Sequence, residues 1–207
     1  LPSGMAEQDV YEHLRALAER NVSVEDEISF LGAGMYDHYV PALIDTLLGR
    51  SEFLTPYTPY QPEISQGGLQ VMFEFQTAIS ELTGLPVANA SVYEGPSAVA
   101  AAGYLAKLET KRTKLVASRG VHPHSRAALA THAAGYGMEV AEVPLDDDGA
   151  TDAEALAAAV GDDTAAVFVQ QPNFLGTVED LGALVEAGKR TRALFVCAAD
   201  PIPLGIL

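Results

Sequence analysis

Residues 53–68 carry a dense set of polar and aromatic side chains on a stiff backbone. Pro56, Pro59 and Pro62 hold this stretch extended and push each preceding residue away from helical angles. We name residues 57–66 the tyrosine strip; its polar tips belong to Tyr57, Tyr60, Gln61, Glu63, Ser65 and Gln66. Composition alone leaves two interpretations open. The strip is either a structural arm packed on a neighbouring subunit or a loop that contacts a ligand.

A second candidate site lies at a predicted helix start, where Gly95, Pro96 and Ser97 follow Glu94. Glycine allows a tight turn, and proline suits the first helical position. The Ser97 hydroxyl and the free backbone amides then form a possible phosphate cradle. The local pattern nevertheless favours a helix start without a bound anion, and the Glu94 carboxylate counts further against a phosphate.

Polar residues also follow three predicted strands, at the sheet edge where open α/β proteins bind ligands. The imidazole of His122 is suited to stack on a flat cofactor ring or to transfer a proton. The amide of Asn173 is suited to bond a ring oxygen, and the carboxylate of Asp200 to pair with a protonated pyridine nitrogen. For each residue singly, a capping or turn role is favoured. Their shared position at strand ends argues for a ligand site.

Two other kinds of site are poor interpretations of this sequence. His122 and His124 stand two residues apart with no third metal ligand nearby, so we expect no metal site. A serine hydrolase is disfavoured because no Gly-x-Ser-x-Gly motif occurs.

Cys197 is the only cysteine and lies in an apolar run, which predicts a buried core thiol and no disulfide within the chain.

Composition narrows the classes of partner. The 207 residues carry a formal net charge of −16, which argues against nucleic acid or an anionic membrane as partner. No segment approaches the roughly 20 apolar residues of a membrane span, and the start of the sequence has no signal-peptide pattern. We therefore expect a cytoplasmic protein. A first residue other than Met, and an end soon after an apolar run, indicate a truncated piece of a longer protein.

The spacing of apolar residues predicts the elements that position these groups. Helices are expected at residues 7–20, 38–48 and 66–83, and from about residue 87 helices alternate with strands. The later helices are predicted at 96–108, 123–136, 151–160 and 179–190, and the strands at 114–118, 138–143, 165–170 and 193–199. Thr151 and Glu154 form a capping box for one of these helices. The pattern predicts a three-layer α/β/α domain with a mostly parallel sheet at 86–207, after a helical N-terminal arm at 1–85.

Three runs of residues are unusual enough to carry a family resemblance: Phe30–Pro41 (FLGAGMYDHYVP), Thr58–Gln66 (TPYQPEISQ) and Ala88–Ser91 (ANAS). They resemble the glycine decarboxylase P-proteins of the glycine cleavage system, which are fold-type I pyridoxal-phosphate enzymes. The resemblance extends over nearly the whole chain. It is greatest to the first subunit of the two-subunit form, or to the N-terminal half of the fused form. It implies a pyridoxal-phosphate-transferase large domain whose C-terminal part is absent.

The resemblance implies glycine decarboxylation on pyridoxal phosphate, with transfer of the aminomethyl group to the lipoylated H-protein. It also implies a heterotetramer with glycine decarboxylase subunit 2. The family's Schiff-base lysine lies downstream of the Asp200 position. The four lysines of this chain, Lys107, Lys111, Lys114 and Lys189, do not follow strand ends in a cofactor-facing loop. We therefore expect the partner's lysine to hold the cofactor, no covalently bound cofactor in this chain, and no activity from this chain alone.

The resemblance divides the candidate residues into two sets. A relic of a cofactor site is expected at Gly95, Ser97, His122, Asn173 and Asp200. The tyrosine strip is expected to reach the partner's active site. Two alternatives stay open: a non-catalytic assembly module whose strip only packs on its partner, or a fragment of another fold-type I enzyme.

Overall fold

The computed structural model describes residues 3–30, 32–54, 58, 60–64, 66–189 and 191–206. The chain divides into two compact units, Leu1–Gly32 and Ala33–Leu207. The first unit contains helix α1 (Glu7–Ala18), and the side chain of Asn21 donates a hydrogen bond of 3.2 Å to the Ala18 carbonyl. Helix α1 thus ends two residues before the predicted residue 20, and the Asn21 side chain satisfies the carbonyl of its last residue. The expected boundary between residues 85 and 86 stays a prediction.

The second unit opens with helical segments, as predicted. They are α2 (Ala42–Leu48), α3 (Ser51–Leu54), a single 3-10 turn (Pro62–Ile64) and α4 (Gln66–Thr83). Helix α4 has the predicted bounds, and Gly84 follows it with a positive φ of 69°. Helix α2 begins later than the predicted residue 38. Pro41 stands at its N-cap with ψ at 137°, and a proline disfavours helical angles in the residue before it.

Helices and strands alternate over the rest of the second unit. In chain order they are α5 (Gly95–Thr110), β1 (Lys114–Ser118), α6 (Pro123–Gly135), β2 (Glu139–Val143), α7 (Ala153–Ala159), β3 (Thr164–Gln171), α8 (Leu181–Lys189) and β4 (Leu194–Ala199). A 3-10 turn follows at Pro203–Gly205. The four strands pair in the order β2-β1-β3-β4, and each pair is parallel. The predicted parallel sheet is confirmed.

Both faces of the sheet are covered, which confirms the three-layer prediction. Successive residues of a strand point to opposite faces. Leu115 and Ala117 of β1 join a core cluster with residues of α5 and α6, and Val116 joins a second cluster with residues of α7 and α8. Strand β3 is buried along nearly its whole length, as expected for a parallel strand between two helical layers.

The start of α7 differs from the predicted capping box. Asp152 is the N-cap, and its carboxylate accepts a hydrogen bond of 2.9 Å from the Ala155 amide. The hydroxyl of Thr151 instead donates to the Glu179 carboxylate at 2.8 Å. Thr151 is buried at this contact. The Glu179 carboxylate, 28 positions away in sequence, therefore binds the Thr151 hydroxyl that local spacing assigns to the helix start.

Cys197 is exposed, so its predicted place in the core is wrong. It lies on β4, which is an outer strand of the described sheet. Partial burial of its thiol, and after it the negative charge of Glu179, raise the pKa of Cys197. Because the thiolate is the reactive form, the raised pKa lowers the reactivity that exposure would otherwise give.

Gly103 marks the closest approach of α5 to the core, and Gly103→Val is expected to destabilise the fold. A Cβ at this position would lie 2.8 Å from Leu129 Cδ1 and 3.1 Å from Leu115 Cδ1. Overpacking of this kind costs about 1–3 kcal/mol. Gly135→Val in α6 is the matched control, because a Cβ there meets no atom within 4 Å. Urea unfolding followed by circular dichroism compares the two variants, and equal loss in both would contradict this packing.

Candidate functional site

A cavity of about 400 Å³ lies where β3 and β4 end, and we name it the edge cavity. Its walls come from the starts of α5 and α6, the ends of the two strands, and the segment of residues 33–41. Parallel strands place their carboxyl ends at one edge, which explains why residues far apart in sequence meet here. Of the five predicted relic-site residues, the structure brings Gly95, His122 and Asp200 to the wall of this cavity.

Asp200 forms the most specific contact in the edge cavity. Its Oδ2 lies 2.9 Å from Nε2 of His38, and its Oδ1 accepts a hydrogen bond of 3.0 Å from the Ile202 amide. The side chain of Asp200 is 16% exposed and that of His38 is 39% exposed. Sequence reasoning assigned His38 to a helix and missed this role. No local pattern reveals it, since 162 positions separate the two residues.

His122 is fixed in place by bonds that also cap a helix. Its ring Nδ1 accepts a hydrogen bond of 3.1 Å from the His124 amide, which makes His122 the N-cap of α6. Its own amide donates to the side-chain oxygen of Gln170 at 2.9 Å. The ring meets Phe174 edge-on, with 5.0 Å between centroids. These contacts support the capping role, and they leave the ring at the wall of the cavity.

The start of α5 carries a carboxylate rather than an open anion cradle. Glu94 is the N-cap residue, its side chain caps no backbone amide, and it lines the edge cavity. The Ser97 hydroxyl lies 3.5 Å from a Glu94 oxygen, at the outer limit of a hydrogen bond, and Ser97 is outside the cavity wall. A negative charge at this position suits the helix dipole and competes with any other anion.

Asn173 lies in a buried network instead of the cavity. It is fully buried, and its Nδ2 donates to the Gly149 carbonyl at 2.8 Å and to Glu179 Oε1 at 2.9 Å. Its side-chain oxygen accepts the amides of Leu175 and Thr177. Glu179, which sequence reasoning missed, also accepts two bonds from Thr151. The amide of Asn173 therefore holds loops together.

The described residues of the tyrosine strip do not line the edge cavity. Tyr57 and Ser65 lie outside the described residues. Tyr60 is 83% exposed, and Gln61, Glu63 and Gln66 are exposed as well. A bond of 3.1 Å from the Ile64 amide to the Gln61 carbonyl closes the 3-10 turn within the strip. The described strip residues thus point polar groups outward from a locally ordered turn.

Two other kinds of site receive no support from the described part of the chain. None of its helices has the length and apolar character that crossing a membrane requires. Within the same residues, no three side chains of the His, Cys, Asp or Glu types come together as a metal site.

Comparison with known families is decisive for the assignment. All 207 residues match the family described as the glycine cleavage system P-protein. The chain belongs to this family. A relative from Geobacillus kaustophilus, named probable glycine dehydrogenase (decarboxylating) subunit 1, is 52% identical over 98% of the chain and 45% of its own length. One of the same name from Moorella thermoacetica is 51% identical over 100% and 46%. The chain thus spans about half the length of these P-protein relatives.

Solved structures agree with the family assignment. A crystal structure of a glycine decarboxylase P-protein in inhibitor-bound form matches with a TM-score of 0.87 and 47% identity, over 100% of this chain and 46% of that one. The sphingosine-1-phosphate lyase of Burkholderia pseudomallei matches with a TM-score of 0.67 at 20% identity, over 95% of this chain and 48% of that one. The second likeness shows the fold alone. The structural neighbours are pyridoxal-phosphate enzymes, and P-proteins act with other components of the glycine cleavage system.

Asn173→Ala is expected to lower stability by about 1–3 kcal/mol, because it leaves buried partners such as Glu179 with unmet hydrogen bonds. Ser97→Ala is the control, since the hydrogen bond of the Ser97 hydroxyl to Glu94 is 3.5 Å long and exposed. It should change stability by less than about 0.5 kcal/mol. Thermal and urea unfolding measure both variants. An Asn173→Ala protein as stable as the Ser97→Ala protein would rule out the structural role.

Proposed function

We propose that this chain is the subunit, or N-terminal half, of a glycine decarboxylase that lacks the Schiff-base lysine. The single observation that carries the proposal is identity of about half of all residues, over essentially the whole chain, to proteins named as subunit 1. In this proposal the complete enzyme decarboxylates glycine and transfers the aminomethyl group to the lipoylated H-protein. Its partners are glycine decarboxylase subunit 2, the H-protein and the substrate glycine. A heterotetrameric assembly and a cytoplasmic location stay predictions.

The positions of the lysines support a cofactor held by the partner. Pyridoxal phosphate supplies the electron sink for decarboxylation when it is bound. Lys114 begins β1 and its Nζ donates to the Ala159 carbonyl at 2.9 Å, at the sheet edge where strands start. Lys107 and Lys111 end α5 and Lys189 ends α8, and each of these helices leads into the start of a strand. The edge cavity lies at the other edge of the sheet, where the strands end. The positions of these lysines therefore give no support to a role in that cavity.

The tyrosine strip is the part of this chain that we propose to act on the partner's substrate. Its described polar side chains are exposed. The prolines of the sequence restrict the backbone angles of the segment that carries them. Phenol and amide groups of this kind orient a small substrate by hydrogen bonds, and aromatic rings exclude water from it. Because proline fixes φ, the prolines of the sequence reduce the backbone entropy that the strip would lose on docking.

A second candidate function is an assembly module that takes no part in chemistry. One observation favours it: helix α4, which follows the strip, exposes large apolar side chains, among them Val71 at 47% and Phe73 at 67%. Such a surface marks an interaction site whatever the strip does. The remaining alternative, another fold-type I enzyme, is disfavoured because the matches to the sphingosine-1-phosphate lyase and to mouse CSAD are only 20% and 18% identical.

Tyr60→Phe and Gln61→Ala separate these two functions. In the complete enzyme with its partner subunit, each variant is expected to slow glycine–bicarbonate exchange by about tenfold or more, since one lost hydrogen bond in the transition state is worth about 1.4 kcal/mol. Tyr11→Phe on α1 is the matched control and should leave the rate unchanged. Full exchange activity in a correctly assembled Tyr60→Phe, Gln61→Ala enzyme would favour the assembly module.

The chain without its partner is expected to yield no pyridoxyllysine. After incubation with pyridoxal phosphate and reduction with borohydride, mass spectrometry of its tryptic peptides should find no specific adduct at Lys107, Lys111, Lys114 or Lys189. The enzyme with its partner serves as the positive control. A stoichiometric adduct on any of these four residues would contradict the proposal that this chain lacks the Schiff-base lysine.

A further inference from the structure

Polar groups in the wall of the edge cavity have hydrogen-bonding capacity that the chain does not use. The carboxylate of Asp200 has about four acceptor sites, and the contacts with His38 and the Ile202 amide occupy two of them. The side-chain oxygen of Gln170 accepts a bond from the His122 amide, whereas its two N–H donors have no acceptor among the described residues. These unused groups are available to a ligand.

Ser125 gives the strongest indication that the edge cavity takes a ligand. It lies in the first turn of α6, lines the cavity and is only 6% exposed. Its hydroxyl forms no hydrogen bond with any described residue, although no polar side-chain atom in the described part of the chain is fully enclosed without a partner. The Ser125 oxygen therefore opens into the cavity. Burying a hydroxyl without a partner is costly, and a polar group in the cavity would offset that cost.

The charges around the edge cavity favour a cation. Glu94 and Asp200 place two carboxylates in its wall, and neither lysine nor arginine occurs among the described residues that line it. The starts of α5 and α6 also line the cavity, and each helix dipole contributes roughly half a positive charge. With neutral imidazoles, the carboxylates therefore outweigh the helix dipoles by about one negative charge. The Asp200 side chain is only 16% exposed, so water screens its charge less than that of the exposed Glu94.

The rest of the cavity wall suits the carbon skeleton of a small molecule. The volume of about 400 Å³ falls in the usual range of small-molecule pockets. Val99, Pro172 and Ala198 supply apolar surface, and the rings of Tyr36 and His122 supply aromatic surface. Aromatic rings attract cations as well as apolar groups. A molecule that combines an apolar or aromatic skeleton with one positive charge therefore matches both the wall and its charges.

We propose that the edge cavity binds a small organic cation, a molecule with one protonated nitrogen on an apolar or aromatic skeleton. The nitrogen donates a charge-assisted hydrogen bond to an unused acceptor site of Asp200. The Ser125 hydroxyl and the Gln170 amide line the same cavity and are free to bond a hydroxyl group of the ligand. The exposed Glu94 carboxylate adds an attraction that salt weakens. This site goes beyond the proposed function, because neither the tyrosine strip nor the partner's cofactor takes part in it.

N,N-dimethylbenzylamine is the probe for this site, because a tertiary amine forms no Schiff base with the cofactor of the complete enzyme. The full-length protein with its partner subunit is titrated at pH 8, above the usual titration range of imidazole, and ligand-observed NMR follows binding. Wild type should bind the probe with a Kd below about 5 mM. Uncharged benzyl methyl ether and anionic benzoate should each bind at least about fivefold more weakly. A higher Kd for the probe, or a smaller difference, would overturn the proposal.

Variants then locate the bound probe. Asp200→Asn should weaken binding at least about tenfold, because it removes the charge that the nitrogen meets, and Ser125→Leu should do the same by filling the cavity. Glu94→Gln should weaken binding about twofold, since its charge is exposed. Glu109→Gln, at the far end of α5, is the control and should leave the Kd unchanged. Circular dichroism checks folding, and the exposed Glu94 keeps the test decisive if another variant unfolds. An unchanged Kd in Glu94→Gln, or in folded Asp200→Asn or Ser125→Leu, would overturn the site.

Discussion

Parallel pairing of the four strands is the constraint on which the rest of this structure depends. It sends every strand in one direction, so the loops that follow β1, β3 and β4 leave from a single edge of the sheet. Both faces of the sheet are used for packing against helices, which leaves this edge as the place where polar groups gather. His122, Gln170 and Asp200 meet there although they are far apart in sequence. The polar groups at this edge therefore need hydrogen-bond partners. Whether those partners come from the chain itself or from a ligand determines the role of the edge.

The buried carboxylate of Glu179 accepts hydrogen bonds from several of the loops at this edge. Glu179 accepts hydrogen bonds from the amide and hydroxyl of Thr151 and from the side chain of Asn173. The hydroxyl of Ser118, at the end of β1, lies 2.7 Å from that of Thr151. Three bonds compensate much of the cost of burying the charge. Hydrogen bonds between protein groups thus cross-link the loops after β1, β2 and β3.

The sequence predicts those parts of the fold that depend on neighbours in the chain. The bounds of β1 and α4 are those given by the apolar spacing, because a core-facing stripe and a following Gly84 are local signals. The roles of His38 and Thr151 are missed for the opposite reason. Their partners, Asp200 and Glu179, lie 162 and 28 positions away, and only the finished sheet brings them close.

The candidate site shows the same division. The structure places His122 and Asp200, which both follow strand ends, at the wall of one cavity, since parallel topology converts sequence position into a shared edge. Asn173 lies elsewhere, because position at an edge does not say whether a side chain turns toward solvent or into the protein. Asn173 turns inward, where the buried Glu179 offers a stronger acceptor than water-exposed groups would.

The two candidate regions of this chain therefore differ in the state of their polar groups. At the sheet edge, Asp200, His122 and Gln170 already have partners within the chain. In the tyrosine strip, the described polar side chains of Tyr60, Gln61 and Glu63 face outward from a proline-stiffened turn. Exposed polar side chains can exchange water for the groups of a partner, at the entropic cost of ordering them. This contrast supports the proposal that the strip, rather than the sheet edge, contacts the partner's substrate.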